Sequence, residues 1–164
     1  MEAIFAKRLD IIKPTAAELA AIGAQYIATV EPTAQASLAQ LRAAGWQIAI
    51  VSGGFTQAIR PLADFLCIDR VEAVVLKFHA DGAYAGFDDS CPTCKTKGKN
   101  VVARRLRAEY RATQVVMVGD GASDLEVKGD ADLVIGFGRY VQRPKVVAGA
   151  DKFVRSLEEL VGVV

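Results

Sequence analysis

The stretch VMVGDGASDLEV, residues Val116 to Val127, decides the fold class of this chain. Its apolar beginning is typical of a buried β-strand, and the glycines on both sides of Asp120 predict a tight turn. Asp124 follows within the first turn of a short helix predicted over Ser123–Lys128. A strand that passes through a glycine turn into a helix is the repeating step of a parallel α/β sheet. The two carboxylates are therefore expected to point at one cation, unless Asp124 serves only to cap its helix.

The rest of the chain continues this alternation of strands and helices. Thr15 and Glu18 form a capping-box pattern at the start of one predicted helix, and Gly45 is a C-cap for the next. The dipeptide Asp81-Gly82 predicts a β-hairpin, an antiparallel extension of the sheet. Helices are predicted over Ala16–Thr29, from Pro32 to Gly45, over Thr56–Leu66 and over Lys99–Tyr110; strands are predicted at WQIAIV, which ends at Ser52, at Ala73–Phe78 and Ala83–Phe87, and at QVVMVGD and DLVIGF.

A second glycine turn, Ser52-Gly53-Gly54, lies between a predicted strand and a predicted helix. A hydroxyl, accessible backbone amides and a helix N-terminus together can bind a phosphate dianion, although the same residues also suit an ordinary tight turn. In parallel α/β sheets, ligands bind beyond the carboxyl ends of the strands. The Ser52 and Asp120 turns are therefore predicted to face one site.

Two further features concern charge at this site. Hard carboxylate oxygens such as those of Asp120 and Asp124 suit a hydrated magnesium ion better than zinc. Lys97, in the segment KTKGK near a helix start, has the charge to stabilise a phosphoryl group during transfer. The alternative for Lys97 is a solvated lysine-rich surface.

Composition limits the classes of function. The 164 residues, 52% of them hydrophobic, suit one compact α/β core. The net charge is +1, and no basic stripe interleaved with aromatic residues is present, so a small-molecule partner is expected rather than nucleic acid. The apolar runs Ile48–Val51 and Val115–Val118 are too short to span a membrane, and the N-terminus lacks the apolar core of a signal peptide. A cytoplasmic location is expected.

The cysteines and the single histidine carry weak signals. Cys67, Cys91 and Cys94 make an odd count without an export signal, so a disulfide framework is not expected. The CPTC segment, Cys91 to Cys94, is typical of half a zinc site or of a redox pair. Zinc requires two more ligands, and only Cys67 and His79 are available. A loop without a metal or redox role is therefore favoured.

The order of these motifs resembles the phosphoserine phosphatases of the haloacid dehalogenase (HAD) superfamily. FAKRLDIIKPT is similar to a helix of the family's cap domain, IVSGGF to its second motif, DGAYAGFD to its hairpin, KGKNVV to its third motif and MVGDGASDLEV to its fourth. The resemblance implies a HAD-like Rossmannoid parallel sheet with a β-hairpin extension and a partial helical cap. It also implies hydrolysis of small phosphomonoesters such as phosphoserine, a step of serine biosynthesis.

The resemblance assigns a role to each candidate residue. Ser52, Gly53 and Gly54 would bind the phosphate, and Lys97 would stabilise the phosphoryl group. Asp120 would ligate Mg²⁺ and Asp124 would support the metal shell. Arg8, which matches an arginine of the cap, would hold the substrate carboxylate together with Ser123 as a substrate-binding residue; the alternative for Arg8 is a surface charge.

One family motif is absent from the sequence. The family's first strand ends in DxDxT, whose first aspartate is the nucleophile. The 164 residues contain no such motif, so the expectation is a chain truncated at the N-terminus, with residues 1–31 as a cap remnant and residues 32–164 as a core without its first strand. Asp88 and Asp89 are the nearby acidic pair, but nothing favours them as substitutes.

The missing strand leaves several predictions open. The free energy of apolar burial lost with a central strand is about as large as the free energy of unfolding of a typical domain. Self-association into a homodimer is expected to compensate for this loss. The alternative is internal repacking around a monomer. The functional alternatives to a hydrolase are a non-catalytic phosphate-binding remnant and one half of a split phosphatase.

Overall fold

The computed structural model describes the backbone from Glu2 onward and the side chains from Phe5 onward. The helices are α1 (Glu2–Ile12), α2 (Ala16–Ala28), α3 (Ala34–Ala43), α4 (Thr56–Phe65), α5 (Gly98–Tyr110), α6 (Ala122–Leu125), α7 (Pro144–Gly149) and α8 (Leu157–Val161). The strands are β1 (Ala49–Phe55), β2 (Arg70–Val74), β3 (Leu76–Phe78), β4 (Tyr84–Phe87), β5 (Val116–Gly119), β6 (Leu133–Phe137) and β7 (Lys152–Val154). A 3-10 turn, Pro92–Cys94, precedes α5.

The chain forms two compact units. Unit 1 comprises residues 1–30 and 48–98, and unit 2 comprises residues 31–47 and 99–164. The domain boundary expected after residue 31 stays a prediction.

Unit 1 combines a parallel pair with a hairpin. Strands β1 and β2 run parallel, and β3 and β4 form the antiparallel hairpin. Helices α1, α2 and α4 cover an apolar core of six buried residues: Leu9, Leu19, Ala58, Val74, Leu76 and Cys94. The α/β class and the predicted hairpin are therefore confirmed.

Unit 2 contains a three-stranded parallel sheet in the order β5-β6-β7. Its core includes Ala103 of α5, Met117 of β5, Val127 and Val134. Strand β5 pairs with β6 in register, from Val116 opposite Leu133 to Gly119 opposite Gly136. This pairing places the residues that follow β6 next to the turn that follows β5.

The predicted helix boundaries have identifiable physical causes. The Glu18 amide donates to Thr15 Oγ1 at 3.2 Å and the Thr15 amide donates to Glu18 Oε2 at 2.7 Å, which completes the capping box of α2. Gly45 follows α3 with a φ of 92°, and the Trp46 amide donates to the Leu41 carbonyl at 3.0 Å. This arrangement is a Schellman ending, which requires the left-handed conformation that glycine adopts freely.

Three sequence predictions are corrected. The strand predicted over Ala73–Phe78 is two strands, because Arg70–Val74 pairs with β1 and Leu76–Phe78 pairs with β4. Strand β1 continues through Gly54 to Phe55 instead of ending at Ser52. The helix predicted over Ser123–Lys128 is shorter, Ala122–Leu125.

The parallel strands belong to two sheets. Within the part of the chain that the structure describes, β1 has β2 as its one strand neighbour and β5 has β6, so each has one edge without a strand partner. Among those same residues, no helix has the length and apolar character needed to cross a membrane.

Candidate active site

The predicted phosphate loop lies at the end of β1 in unit 1. The Gly54 amide donates to Ser52 Oγ at 3.0 Å. Because the oxygen of Ser52 accepts this bond, its hydroxyl hydrogen remains able to donate to a ligand. Gly53 is exposed, so its backbone amide is accessible. The residues therefore form a small set of donors with one rotatable hydroxyl.

Helix α4 begins directly after this loop and presents an uncapped N-terminus. Its N-cap residue, Phe55, makes no side-chain cap hydrogen bond. The first amides of a helix lack partners within the helix, and the helix dipole favours an anion at this end. The combination of Ser52, the glycine amides and the start of α4 has the chemistry of a phosphate-binding loop.

Arg8 lies on α1, which is anchored beside the phosphate loop. The Phe5 ring packs against Phe55 with 6.2 Å between ring centroids and against Phe87 with 5.6 Å. Leu9 is buried in the core of unit 1. Arg8 itself is exposed and makes no hydrogen bond or ion pair with any residue that the structure describes. Its guanidinium is therefore available to an anion.

Lys97 has an unusual backbone conformation and is followed by a tightly packed glycine. It is exposed, and its φ of 56° lies in the left-handed region, which is uncommon for a residue with a side chain. Gly98 packs so tightly against the 3-10 turn that an added Cβ would lie 1.8 Å from the Pro92 carbonyl oxygen. The same turn lies near the phosphate loop, since a Cβ on Gly53 would lie 3.7 Å from the Thr93 carbonyl oxygen. The 3-10 turn therefore packs against Gly98, next to Lys97, and lies near Gly53 of the phosphate loop.

The CPTC segment, Cys91 to Cys94, contains this 3-10 turn. Cys94 is buried, and its thiol donates to the Cys91 carbonyl at 3.1 Å. Cys91 is half-buried, and all three cysteines are free thiols. The absence of zinc stays a prediction.

Asp120 follows β5 in unit 2 and forms an ion pair with Arg143. The Nη1 atom of Arg143 donates to Asp120 Oδ2 and, at 2.8 Å, to the Asp120 carbonyl oxygen. Both side chains are about half exposed, at 51% for Arg143 and 52% for Asp120. Asp120 is therefore accessible to solvent, but not free of a counter-ion.

Asp124 lies in the first turn of α6 and is buried. Its Oδ1 accepts from Lys99 Nζ at 2.5 Å, and its Oδ2 accepts from the Gly121 amide at 3.0 Å. The carboxyl group also lies close to β5, since a Cβ on Gly119 would lie 2.1 Å from Asp124 Cγ. Asp124 thus both caps α6 and pairs with a lysine. Ser123, one residue earlier, is exposed.

The donor chemistry of this turn fits magnesium. Mg²⁺ is usually bound by one or two carboxylates and completes its shell with water or phosphate oxygens. Asp120 presents a half-exposed carboxylate, whereas Asp124 has both oxygens engaged. Within the described residues, no group of three or more His, Cys, Asp or Glu side chains could hold a metal. Of the two carboxylates, that of Asp120 is therefore the more accessible to a cation.

Asp88, beside the hairpin, accepts a hydrogen bond from the Ser90 amide at 2.9 Å. Hydrogen bonds from the Ser90 side chain and backbone lower its pKa from the ordinary value of 3.8. A carboxylate with a lowered pKa is a weaker base. Asp89, its neighbour, is exposed.

The structure places the predicted residues in two groups. Ser52, Gly53, Gly54, Lys97 and Arg8 belong to unit 1; Asp120, Ser123 and Asp124 belong to unit 2. The expectation that the two turns face one site concerns both units and stays a prediction.

Sequence reasoning missed Lys99 and Arg143. Lys99 lies 25 positions from Asp124, and Arg143 lies 23 positions from Asp120, so no local pattern links the partners. In the sequence, Lys99 is marked only as the second lysine of KGK, and Arg143 only as the arginine before Pro144.

Comparison with known proteins identifies the family. The model of the haloacid dehalogenase-like hydrolases matches residues 1–127, and the chain belongs to this family. The phosphoserine phosphatase of Bos taurus is 34% identical over 163 residues, which cover 98% of this chain and 72% of that protein. The phosphoserine phosphatase of Homo sapiens is 32% identical over the same coverage.

Solved structures agree with this assignment. A phosphoserine phosphohydrolase-like protein from Francisella tularensis matches 96% of this chain and 74% of its own, with a TM-score of 0.84 and 27% identity. Within the haloacid dehalogenase-like hydrolases, the branch is that of the phosphoserine phosphatases, which are phosphoric monoester hydrolases.

Proposed function

We propose that this chain acts as a magnesium-dependent phosphatase of small phosphomonoesters, with phosphoserine as its substrate. The observation that carries the proposal is the phosphate loop of unit 1, in which Ser52, held by the Gly54 amide, and the exposed Gly53 directly precede the uncapped start of α4. The expected cytoplasmic location and a place in serine biosynthesis follow from the same family relationship.

The residues of unit 1 would bind and orient the phosphate. The Ser52 hydroxyl would donate to one phosphate oxygen, and the Gly53 amide and the first amides of α4 would donate to others. Gly54 would contribute by holding the Ser52 oxygen in place through its amide. Lys97 adds a positive charge that stabilises the phosphoryl group in the transition state. Arg8 suits the substrate carboxylate, because a guanidinium binds a carboxylate through two parallel hydrogen bonds.

The residues of unit 2 would hold the metal. Asp120 would be the residue that holds Mg²⁺. Asp124 would keep the glycine turn in place, since it bonds to the Gly121 amide and to Lys99. The bound ion would supply electrostatic stabilisation of the phosphate oxygens. Ser123, exposed at the start of α6, is proposed to contact the substrate.

The attacking group is the open element of this mechanism. None of the residues assigned above is a nucleophile, and we propose attack by water or by a carboxylate outside them. A second candidate is phosphate or phosphoserine binding without turnover, for which the Ser52 loop and the start of α4 would suffice. A split enzyme, completed by a second polypeptide, is the third.

A substrate panel tests the proposal. Release of inorganic phosphate is measured from phosphoserine, phosphothreonine and glycerol phosphate, with and without Mg²⁺. We expect turnover of phosphoserine that needs Mg²⁺ and is lost in Ser52→Ala. The matched control is Asp64→Asn, a surface residue of α4 whose partner is Arg60 at 3.7 Å, and it should behave as the unmodified chain.

The panel also separates the candidates. Phosphoserine binding by calorimetry without phosphate release supports the binding protein. If neither phosphoserine binding nor phosphate release is observed, every version of the proposal that uses this loop is contradicted.

Self-association is part of the proposal. Strands β1 and β5 each have an edge without a strand partner among the described residues, and such edges favour pairing with another chain. We propose a homodimer, and light scattering at low micromolar concentration measures it. A well-folded monomer contradicts the proposed dimer.

A further inference from the structure

Arg143 is positioned on Asp120 by the sheet of unit 2. Strand β6 lies parallel to β5, with Gly136 opposite Gly119, so the segment after β6 follows the same edge as the Asp120 turn. The Gly138 amide donates to the Val154 carbonyl at 2.9 Å, which fixes the start of that segment to β7. Arg143 ends the segment as the N-cap residue of α7.

The contact of Arg143 with Asp120 involves two acceptors. The Nη1 atom donates to the backbone carbonyl and to the carboxylate of the same residue. The position of the guanidinium is therefore set by the main chain of the turn as well as by charge.

We propose that Arg143 is an internal counter-ion that competes with a divalent cation for the Asp120 carboxylate. This inference rests on the proposed role of Asp120 as a metal ligand. A guanidinium and a metal ion on the same carboxylate repel each other, so binding of the ion must weaken or break the Arg143 contact. In the absence of metal, Arg143 neutralises Asp120 and is hydrogen-bonded to the main chain of the turn.

Asp124 differs from Asp120 in this respect. Its partner Lys99 is 17% exposed and Asp124 is 7% exposed, so this pair is mostly shielded from solvent. The Arg143 pair is about half exposed on both sides, and pairs of this kind are weak enough to be exchanged. Competition is therefore expected at Asp120.

Metal binding measured without turnover tests the proposal. The probe is Mn²⁺, whose free concentration is followed by electron paramagnetic resonance, with Mg²⁺ as a competitor. Removal of an exposed ion pair changes an equilibrium by up to about five-fold, so Arg143→Gln should bind Mn²⁺ more tightly than the unmodified chain, by a factor of up to about five. Arg143→Lys, which keeps the charge, should change the affinity less.

The matched control lies in the same unit. Arg104 donates from Nη1 to both carboxylate oxygens of Asp130 at 2.9 Å, and it is 58% exposed. Arg104→Gln therefore removes an arginine–aspartate pair that includes no residue of the Asp120 turn, and it should leave Mn²⁺ affinity unchanged. Raised salt should reduce the difference between Arg143→Gln and the unmodified chain, because salt screens an exposed ion pair.

The outcomes separate this inference from the proposed function. If Asp120→Asn abolishes Mn²⁺ binding while Arg143→Gln binds with unchanged or lower affinity, Asp120 is a ligand and the competition is wrong. If no variant binds Mn²⁺, both the metal site and the competition are wrong. Tighter binding in Arg143→Gln but not in Arg104→Gln supports the competition.

Discussion

Asp124→Asn is the substitution whose effect on stability the structure specifies best. The change keeps the shape of the side chain but removes its charge, and only one of the two groups at Oδ1 and Oδ2 can then be an acceptor. Either the Lys99 ammonium or the Gly121 amide, now at 2.5 and 3.0 Å, loses its hydrogen bond. Lys99 also loses its counter-ion while its side chain is only 17% exposed.

The expected loss of stability follows from this burial. Removal of one partner of a buried ion pair costs about 3 to 5 kcal/mol, because the remaining charge is left without compensation. Lys99 retains some access to water, so the lower end of that range, about 3 kcal/mol, is expected. Lys128→Gln is the control. Its pair with Asp151 is exposed at 44% and 40%, and its loss should cost less than about 1 kcal/mol.

Urea unfolding followed by circular dichroism measures both changes. The double variant Lys99→Met with Asp124→Asn should recover part of the lost stability, since the uncompensated charge is then gone. If Asp124→Asn and Lys128→Gln lower the free energy of unfolding by equally small amounts, the argument that burial makes the loss of the Asp124 charge costly is refuted.

Three further predictions follow from single contacts. Gly98→Ala should lower stability by about 1 to 3 kcal/mol in thermal unfolding, because its Cβ would lie 1.8 Å from the Pro92 carbonyl oxygen, whereas Gly53→Ala, with its nearest atom at 3.7 Å, should be nearly neutral. Hydrogen bonds from Lys128 and from the Val134 amide lower the pKa of Asp151 below 3.8, so its stabilising contribution is present above that pH and is lost as the pH falls through the lower, folded-state pKa. Asp151→Asn should therefore flatten the acid dependence of stability below about pH 4, and an unchanged slope would contradict this. Elemental analysis should find no stoichiometric zinc in the unmodified chain, and one zinc per chain that is lost in Cys91→Ser, a change at the half-buried cysteine, would show that the CPTC segment binds metal.

The features that the sequence predicted well are those with local causes. The capping box of Thr15 and Glu18 and the Schellman ending at Gly45 depend on residues within one turn of each other. Long apolar runs likewise located β5 and β6. Each of these signals is contained in a short window of sequence.

The features that were missed depend on distant partners. Strand β2 begins with Arg70, Val71 and Glu72, whose charged residues obscure a strand, but the Arg70 and Glu72 side chains pair with each other at 2.7 Å. The Lys99 and Arg143 contacts of the candidate site join residues more than 20 positions apart. The segments β7, α7 and α8 are short, and their periodicity is too brief to predict them.

Phosphorus NMR of phosphoserine incubated with the purified chain tests the central claim most directly. With Mg²⁺ present, we predict that the phosphoserine resonance declines and that of inorganic phosphate grows in proportion, and that Asp120→Asn prevents this change. A phosphoserine resonance that stays constant at stoichiometric concentrations of the folded chain, with Mg²⁺ present, would contradict the claim that this chain is a phosphatase.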